Sequence, residues 1–267
     1  MMRVEGLSFS YGAHEVLRNV SFEVAPGKVT TVLGANGSGK TTLFYLMTKN
    51  LIPQAGRIQL DGTDIGRLRF KDFARRVALV NQMHRLGADM TVKQLVALGR
   101  TPYQGFLQNG TDADERMVSW ALEVSATSEY RDEPLSSLSG GQQQLVWVAM
   151  ALAQDTPLLF LDEPTTYLDV RYQLQILEMV RCLSEEYSKT VVMVLHDINQ
   201  AVHYSDVLIG LKDGELIATG PAANLLTPEL IEDLYGVRLD SIQRGGRTYA
   251  WHLERASRRV EEMGAHR

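Results

Sequence analysis

The stretch "KVTTVLGANGSGKT", Lys28 to Thr41, decides how the rest of the chain is read. Its first half is an apolar run suited to a buried strand. Its second half, Gly34-Ala35-Asn36-Gly37-Ser38-Gly39-Lys40-Thr41, fits the spacing G-x-x-x-x-G-K-[ST] directly after that strand. Phosphate groups carry several negative charges and need many donors at close range. Gly34, Gly37 and Gly39 let the backbone curl so that its N–H groups point inward. A helix predicted from near Gly39 adds the positive end of its dipole. Lys40 offers a mobile charge to the β and γ phosphates of a nucleotide, and the Thr41 hydroxyl suits Mg²⁺.

Three further apolar runs end in polar residues: "RVALVNQ" (76–82), "PLLFLDE" (157–163) and "KTVVMVLHD" (189–197). With the first run they suit central strands buried on both faces. Helical patterns lie between them, among them "LDVRYQLQILEMVRCLSEEY" (168–187), so strands alternating with helices argue a parallel α/β sheet. Ligands of such sheets sit beyond the carboxyl ends of the strands. Gly34, Gln82, Asp162–Glu163 and His196 stand at those four ends. Asp162 at a strand tip can hold a Mg²⁺ shell, and Glu163 can orient or deprotonate an attacking water. Gln82 and His196 are weak signals alone and gain weight from their neighbours. Tyr11, in "LSFSYG", offers an aromatic face on which adenine could stack.

The flanking regions read differently. Residues before 61 alternate apolar and polar positions in "VEGLSFSY", "EVLRNVSFEV" and "GRIQLDG", as a half-exposed antiparallel sheet does. From about 84 to 156 the strand alternation stops, and "TVKQLVALG", "DADERMVSWALEVS" and "GGQQQLVWVAMALAQ" are helical by period. "VLIGLKDGELIATG" (207–220) reads as a hairpin turning at Asp213-Gly214. From "TPELIEDLYG" onward the chain reads as mostly helix with a charged tail.

Composition bounds the function. The chain has 267 residues and is 45% hydrophobic, enough for a sizeable core. Its 27 basic and 32 acidic residues leave −5, which argues against a nucleic-acid partner. The basic stretch "GRLRFKDFARR" (66–76) reads as a solvated helix face. Cys182 is the only cysteine, which fits a reducing compartment. The opening "MMRVEGLSFSYG" lacks the pattern of a secretory leader. The longest apolar run, "LVWVAMALA" (145–153), falls short of the roughly 20 residues a spanning helix needs. Any membrane contact is therefore expected to be peripheral.

One stretch remains: "LSGGQQQ", 138–144, a second glycine-rich turn between Gln82 and Asp162. With it the chain resembles the ATP-binding cassette family over nearly its whole length. The motifs come in that family's order: Tyr11, phosphate loop 34–42 including Thr42, Gln82, signature "LSGGQ" (138–142), "LLFLDEP" (158–164), "TTYLD" (165–169) and His196. The resemblance implies a single nucleotide-binding domain with an α/β, P-loop NTPase (RecA-like) core and a mainly parallel sheet. Residues 1–83 and 157–220 would form that core with its N-terminal antiparallel β subdomain. Residues 84–156 would form an inserted α-helical subdomain, and 221–267 a C-terminal helical segment and tail.

It also implies an ATPase that binds ATP and Mg²⁺ and works as a dimer. Ser139, Gly140, Gly141 and Gln142 would contact the ATP of a second copy, and Asp169 would couple the two sites. Lys40, Thr41, Gln82, Asp162, Glu163 and His196 would act in cis, with Thr41, Gln82 and Asp162 around the metal.

"VALGRTPY" (96–103), "LHDINQAVHYSD" (195–206) and "LLTPELIEDLYGVRL" (225–239) look most like ATPase subunits of iron-chelate, haem and cobalamin importers. Ferric-siderophore import is named first. The partners would be integral permease subunits at the cytoplasmic face of the membrane and, indirectly, a substrate-binding protein. A haem or cobalamin importer, or a soluble cluster-assembly-like cassette, is the alternative. Gln143 and Leu145 stand where many relatives carry Arg, Ala35 where Pro is usual, and Thr41 where Ser is frequent.

Overall fold

The computed structural model describes residues 2–81, 90–104 and 110–251. Two long strands open it, β1 (Met2–Tyr11) and β2 (His14–Val24), paired antiparallel. Next come β3 (Val29–Leu33) and α1 (Lys40–Met47). β4 (Ala55–Leu60) returns to β1, and β5 (Thr63–Asp64) completes an antiparallel sheet in the order β2-β1-β4-β5. Short α2 (Phe70–Ala74) leads into β6 (Val77–Val80). Three helices follow: α3 (Val92–Leu98), α4 (Asp112–Val124) and α5 (Gly140–Ala153). The chain continues as β7 (Leu158–Leu161), α6 (Val170–Glu185), β8 (Thr190–Val194) and α7 (Ile198–Tyr204). Hairpin strands β9 (Val207–Lys212) and β10 (Glu215–Pro221) come next, then α8 (Ala222–Leu225) and α9 (Pro228–Tyr235). β11 (Asp240–Arg244) and β12 (Arg247–Trp251) pair as a last hairpin.

The second sheet runs β10-β9-β3-β8-β7-β6, parallel except for the edge strand β10. Its parallel strands β9, β3, β8, β7 and β6 are largely buried because both faces are covered. Successive residues of one strand therefore enter different cores. Leu158 and Phe160 point toward α1 and the antiparallel sheet, while Leu159 and Leu161 point toward the helices on the other side. Val192 and Val194 divide from Val191 and Met193 in the same way. Phe160 meets Phe44 of α1 edge to face, centroids 5.4 Å apart. Burying each such side chain contributes roughly 1.5–3 kcal/mol, so the sheet is held from both sides and its carboxyl edge is fixed.

Each of α3, α4 and α5 starts with a capping box: Thr91 with Gln94, Thr111 with Asp114, and Ser139 with Gln142. Such boxes satisfy donors that the first helical turn leaves open. A buried ion pair ties the three together. Arg100, just past α3, donates to Asp114 at 2.8 Å and to the Ala153 carbonyl at the end of α5, also at 2.8 Å.

Two segments depart from the sequence reading or refine it. After α9 the chain does not continue as helix, because Asp240–Trp251 forms the β11–β12 hairpin. Gly245 and Gly246 make its turn at φ 59° and 74°, a left-handed pair that glycine adopts without strain. That two-glycine turn was the overlooked signal. The basic stretch 66–76 holds the end of a 3-10 turn (Ile65–Arg67) and the five-residue α2, and its Arg69 is paired with Asp72 at 2.7 Å. The charged tail, 252–267, lies outside the described residues.

Candidate active site

The loop from Gly34 to Gly39 bridges β3 and α1 at the carboxyl edge of the parallel sheet. Gly39 has φ 100°, and a Cβ there would lie 2.8 Å from Leu17 Cδ2 and 2.9 Å from the Val16 carbonyl. The loop can turn into α1 only against this wall, so the residue must be glycine. From the other side the Gly214 amide donates to the Ser38 carbonyl at 3.1 Å, so the β9–β10 turn holds the loop. The Lys40 ammonium folds back and donates to the carbonyls of Gly34 at 2.8 Å and Ala35 at 3.0 Å. Burial pushes its pKa below the usual lysine range, while the charges of Glu163 and Asp162 pull it back up.

Asp162 and Glu163 follow β7. Asp162 is 3% exposed, and its amide donates to the Val80 carbonyl on β6. Burial, with the Glu163 charge second, pushes its carboxyl up to about 6; His196 and Lys40 act against that. A buried carboxyl of this kind gains from a nearby cation. Glu163 sits at φ 48°, outside the ordinary range for a side-chain-bearing residue. The turn aims its carboxylate at His196, whose Nε2 lies 2.6 Å from Glu163 Oε1, while the Thr166 hydroxyl donates to Oε2 at 3.2 Å. His196 itself follows β8, one residue before Asp197, which caps α7 by accepting from the Gln200 amide at 2.8 Å.

A cleft of 270 Å³ joins the phosphate loop to Glu163. It is lined by Asn36, Gly37, Gly39, Lys40, Thr41, Thr42 and Glu163, and on its far wall by His14 and Val16. Tyr11, the cross-strand partner of His14, is half exposed and packs edge-on to Phe9. Sequence reasoning passed over His14 and Val16 because nothing in a β-hairpin marks which residue will overhang a loop from another element. Thr166 was passed over because its role depends on the unusual turn at Glu163. Gln82 lies outside the described residues.

The signature lies elsewhere. Ser139 is the N-cap of α5, with Ser139 and Gly140 exposed, and none of residues 139–142 lines the cleft. Gly141 is buried against α6: a Cβ there would fall 2.2 Å from the Tyr172 ring. Asp169 caps α6 by accepting from the Tyr172 amide at 3.1 Å. The departures after the signature face inward. Gln143 donates to the carbonyls of Leu135 at 3.0 Å and Leu138 at 3.1 Å, and Leu145 is 2% exposed in the core. Both residues therefore serve the packing of α5.

A lysine-bearing glycine loop that shares one cleft with Glu163, a buried aspartate next to Glu163 in the chain and a histidine against its carboxylate define an ATPase of the P-loop class. The family model described as "ABC transporter" matches residues 17–166. The iron(3+)-hydroxamate import ATP-binding protein of Bacillus subtilis (strain 168) is 39% identical over 88% of this chain and 88% of its own length. The ferric enterobactin transport ATP-binding protein of Escherichia coli (strain K12) is 39% identical over 89% and 88%. An inward-facing metal-chelate type ABC transporter matches with a TM-score of 0.81 at 26% identity, covering 94% of this chain and 96% of that one. A dimeric bacterial ABC transporter cassette, MJ0796, matches with a TM-score of 0.73 at 27% identity, covering 83% and 99%. The chain belongs to the ABC transporter family, as an ATP-binding, ATP-hydrolysing cassette.

Proposed function

We propose that two copies of this chain close on ATP at the cytoplasmic face of a membrane and power an importer of ferric siderophores or related iron chelates. The observation that carries the shared site is the separation of its halves. Lys40, Thr41 and Glu163 line one cleft, while the exposed Ser139 and Gly140 start α5 outside it. A helix start with a free face offers backbone donors and a positive dipole end to a phosphate. It can serve a nucleotide held by another copy. The iron-chelate reading rests on the relatives, ATP-binding proteins of iron(3+)-hydroxamate import and of ferric enterobactin transport.

In this mechanism ATP lies along the phosphate loop, with adenine against Tyr11. Lys40 leaves its backbone carbonyls for the γ-phosphate. Glu163 orients and activates water, His196 steadies the γ-phosphate and the attack geometry, and Gln82 senses the γ-phosphate. Ser139, Gly140, Gly141 and Gln142 of the second copy close the site, and Asp169 couples the two halves. Thr41 and Asp162, with Gln82, would hold Mg²⁺, which neutralises phosphate charge when bound. The donor set fits that ion. Among the described residues no group of three or more His, Cys, Asp or Glu gathers, and Mg²⁺ takes most of its ligands from phosphate and water. No helix among the described residues is long and apolar enough to cross a membrane. In the importer reading the transport path belongs to permease subunits, and the cargo is delivered by a substrate-binding protein.

Uptake of labelled ferric chelate, haem and cobalamin tests this reading in source cells lacking the chain. Loss of ferric-chelate uptake, restored by wild type and not by Glu163→Gln, is the expected result. Loss of haem or cobalamin uptake instead, or no defect at all, would overturn the cargo assignment.

A further inference from the structure

The C-terminal segment touches the site at two places that the nucleotide chemistry does not use. The first is behind the phosphate loop. A 200 Å³ cavity there is lined by Ala35, Asn36 and Ser38 on one side and by Leu234, Tyr235 and Gly236 on the other. The Tyr235 hydroxyl is buried, faces the Gly34 amide, and has no partner in hydrogen-bond geometry. The Ser38 hydroxyl beside Gly34 is also buried and unpaired. A buried hydroxyl without a partner is costly, and such groups in folded proteins call for an explanation.

The second place is α7, the helix entered directly from His196. β12 grips it along its exposed side. The Asn199 side chain donates to the Ala250 carbonyl at 3.1 Å and accepts from the Ala250 amide at 2.9 Å, as a strand neighbour would. His203 Nδ1 lies 2.9 Å from the Tyr249 hydroxyl. Arg247 donates to the carbonyls of Val202 and His203, closing the end of the helix. The opposite face of α7, with Ala201, Val202 and Tyr204, is buried in the core. The position of α7, and with it the entry of His196 toward Glu163, is therefore set jointly by core and hairpin.

We infer that residues 228–251 brace the ATP site at both ends: α9 sets the phosphate loop through Tyr235, and the hairpin sets the His196 turn through Asn199. Both are positioning residues. The inference rests on the ATPase reading above. The Gly34 amide already faces the Tyr235 hydroxyl, and closure of the loop on a triphosphate would bring that pair into hydrogen-bond geometry. A brace of this kind lets whatever moves the C-terminal segment alter turnover without touching nucleotide.

Three variants of the full chain test it, each read by thermal midpoint, ATP affinity and steady-state hydrolysis. Tyr235→Phe removes only the hydroxyl. If that group is idle, the variant is more stable than wild type and binds ATP equally well. The brace expects an unchanged or higher midpoint without nucleotide and ATP affinity weakened about fivefold, the loss of one ordinary hydrogen bond. Asn199→Leu breaks both bonds to Ala250 and should lower kcat about tenfold with the ATP dissociation constant unchanged, because His196 acts on the reacting phosphate. Should Asn199→Leu fail to fold, Tyr249→Phe, which removes the His203 contact alone, carries the same kcat-against-affinity split. Wild-type affinity in Tyr235→Phe, or wild-type kcat in the hairpin variant, overturns the brace. Glu163→Gln runs beside them. If it stops turnover while the brace variants match wild type, the brace fails and the ATPase reading stands. If it hydrolyses ATP at the wild-type rate, the ATPase reading itself fails.

Discussion

Asp162 is held in a conflict that a proton or a cation resolves. Burial lifts its carboxyl to about 6 from an ordinary 3.8. Its folded pKa lies above its unfolded one, so the folded state binds the proton more tightly between those values. Stability from this group is greatest below about pH 4 and falls as pH rises toward 6. Above that range the shift of about two units is a penalty of at most about 3 kcal/mol. Asp162→Asn should therefore raise the urea midpoint of the nucleotide-free protein at pH 8 more than at pH 4, while Mg²⁺-dependent hydrolysis is lost. An equal change at both pH values would contradict the assignment. Tyr11→Ala should weaken ATP binding by roughly 1–3 kcal/mol if the ring stacks on adenine; an unaltered dissociation constant would remove Tyr11 from the site. At this scale the sequence was informative where chemistry demands a residue type at a fixed spacing, as at Lys40, Asp162 and Glu163. It was silent on His14, Thr166, Asn199 and Tyr235, whose partners lie 22 residues or more away or depend on a strained turn.

The elements show the same division. The strand ends before Gly34, Asp162 and His196 were legible because each apolar run stops abruptly at a glycine or a polar residue, while Gln82 lies outside the described residues. The three helices between β6 and β7 were legible from their period. What joins them was not. Arg100 and Asp114 are both buried, and no periodicity marks them as a pair. Thr111 and Arg100 hold the Asp114 carboxyl below the usual range. Its stabilisation is thus present above the ordinary aspartate range and is lost as pH falls through the depressed folded value, the opposite sign to Asp162. Asp114→Ala leaves Arg100 buried without its partner and should cost about 3–5 kcal/mol, read as a lower urea midpoint at pH 7. A cost near zero would show that Arg100 finds another acceptor. The closing hairpin departs from the helical reading although Gly245-Gly246 marks its turn, because its strand Asp240–Arg244 is exposed throughout and carries no apolar alternation.

Across the whole molecule, the second glycine-rich turn makes sense only beyond one chain. Ser139 and Gly140 present an exposed helix start away from the cleft that holds Lys40 and Glu163. Gly141 is reserved by the Tyr172 ring, and Gln143 and Leu145 are spent on internal packing. The surface left for a partner is therefore narrow and starts at Ser139. The most direct measurement of this shared-site account is the solution mass of Glu163→Gln by light scattering, with and without Mg²⁺-ATP. The variant should keep ATP, fail to hydrolyse it, and move from the 29.8 kDa of one chain to twice that mass. Adding Ser139→Arg should abolish the shift. A variant that binds ATP yet stays at the mass of one chain would contradict a site built from two copies.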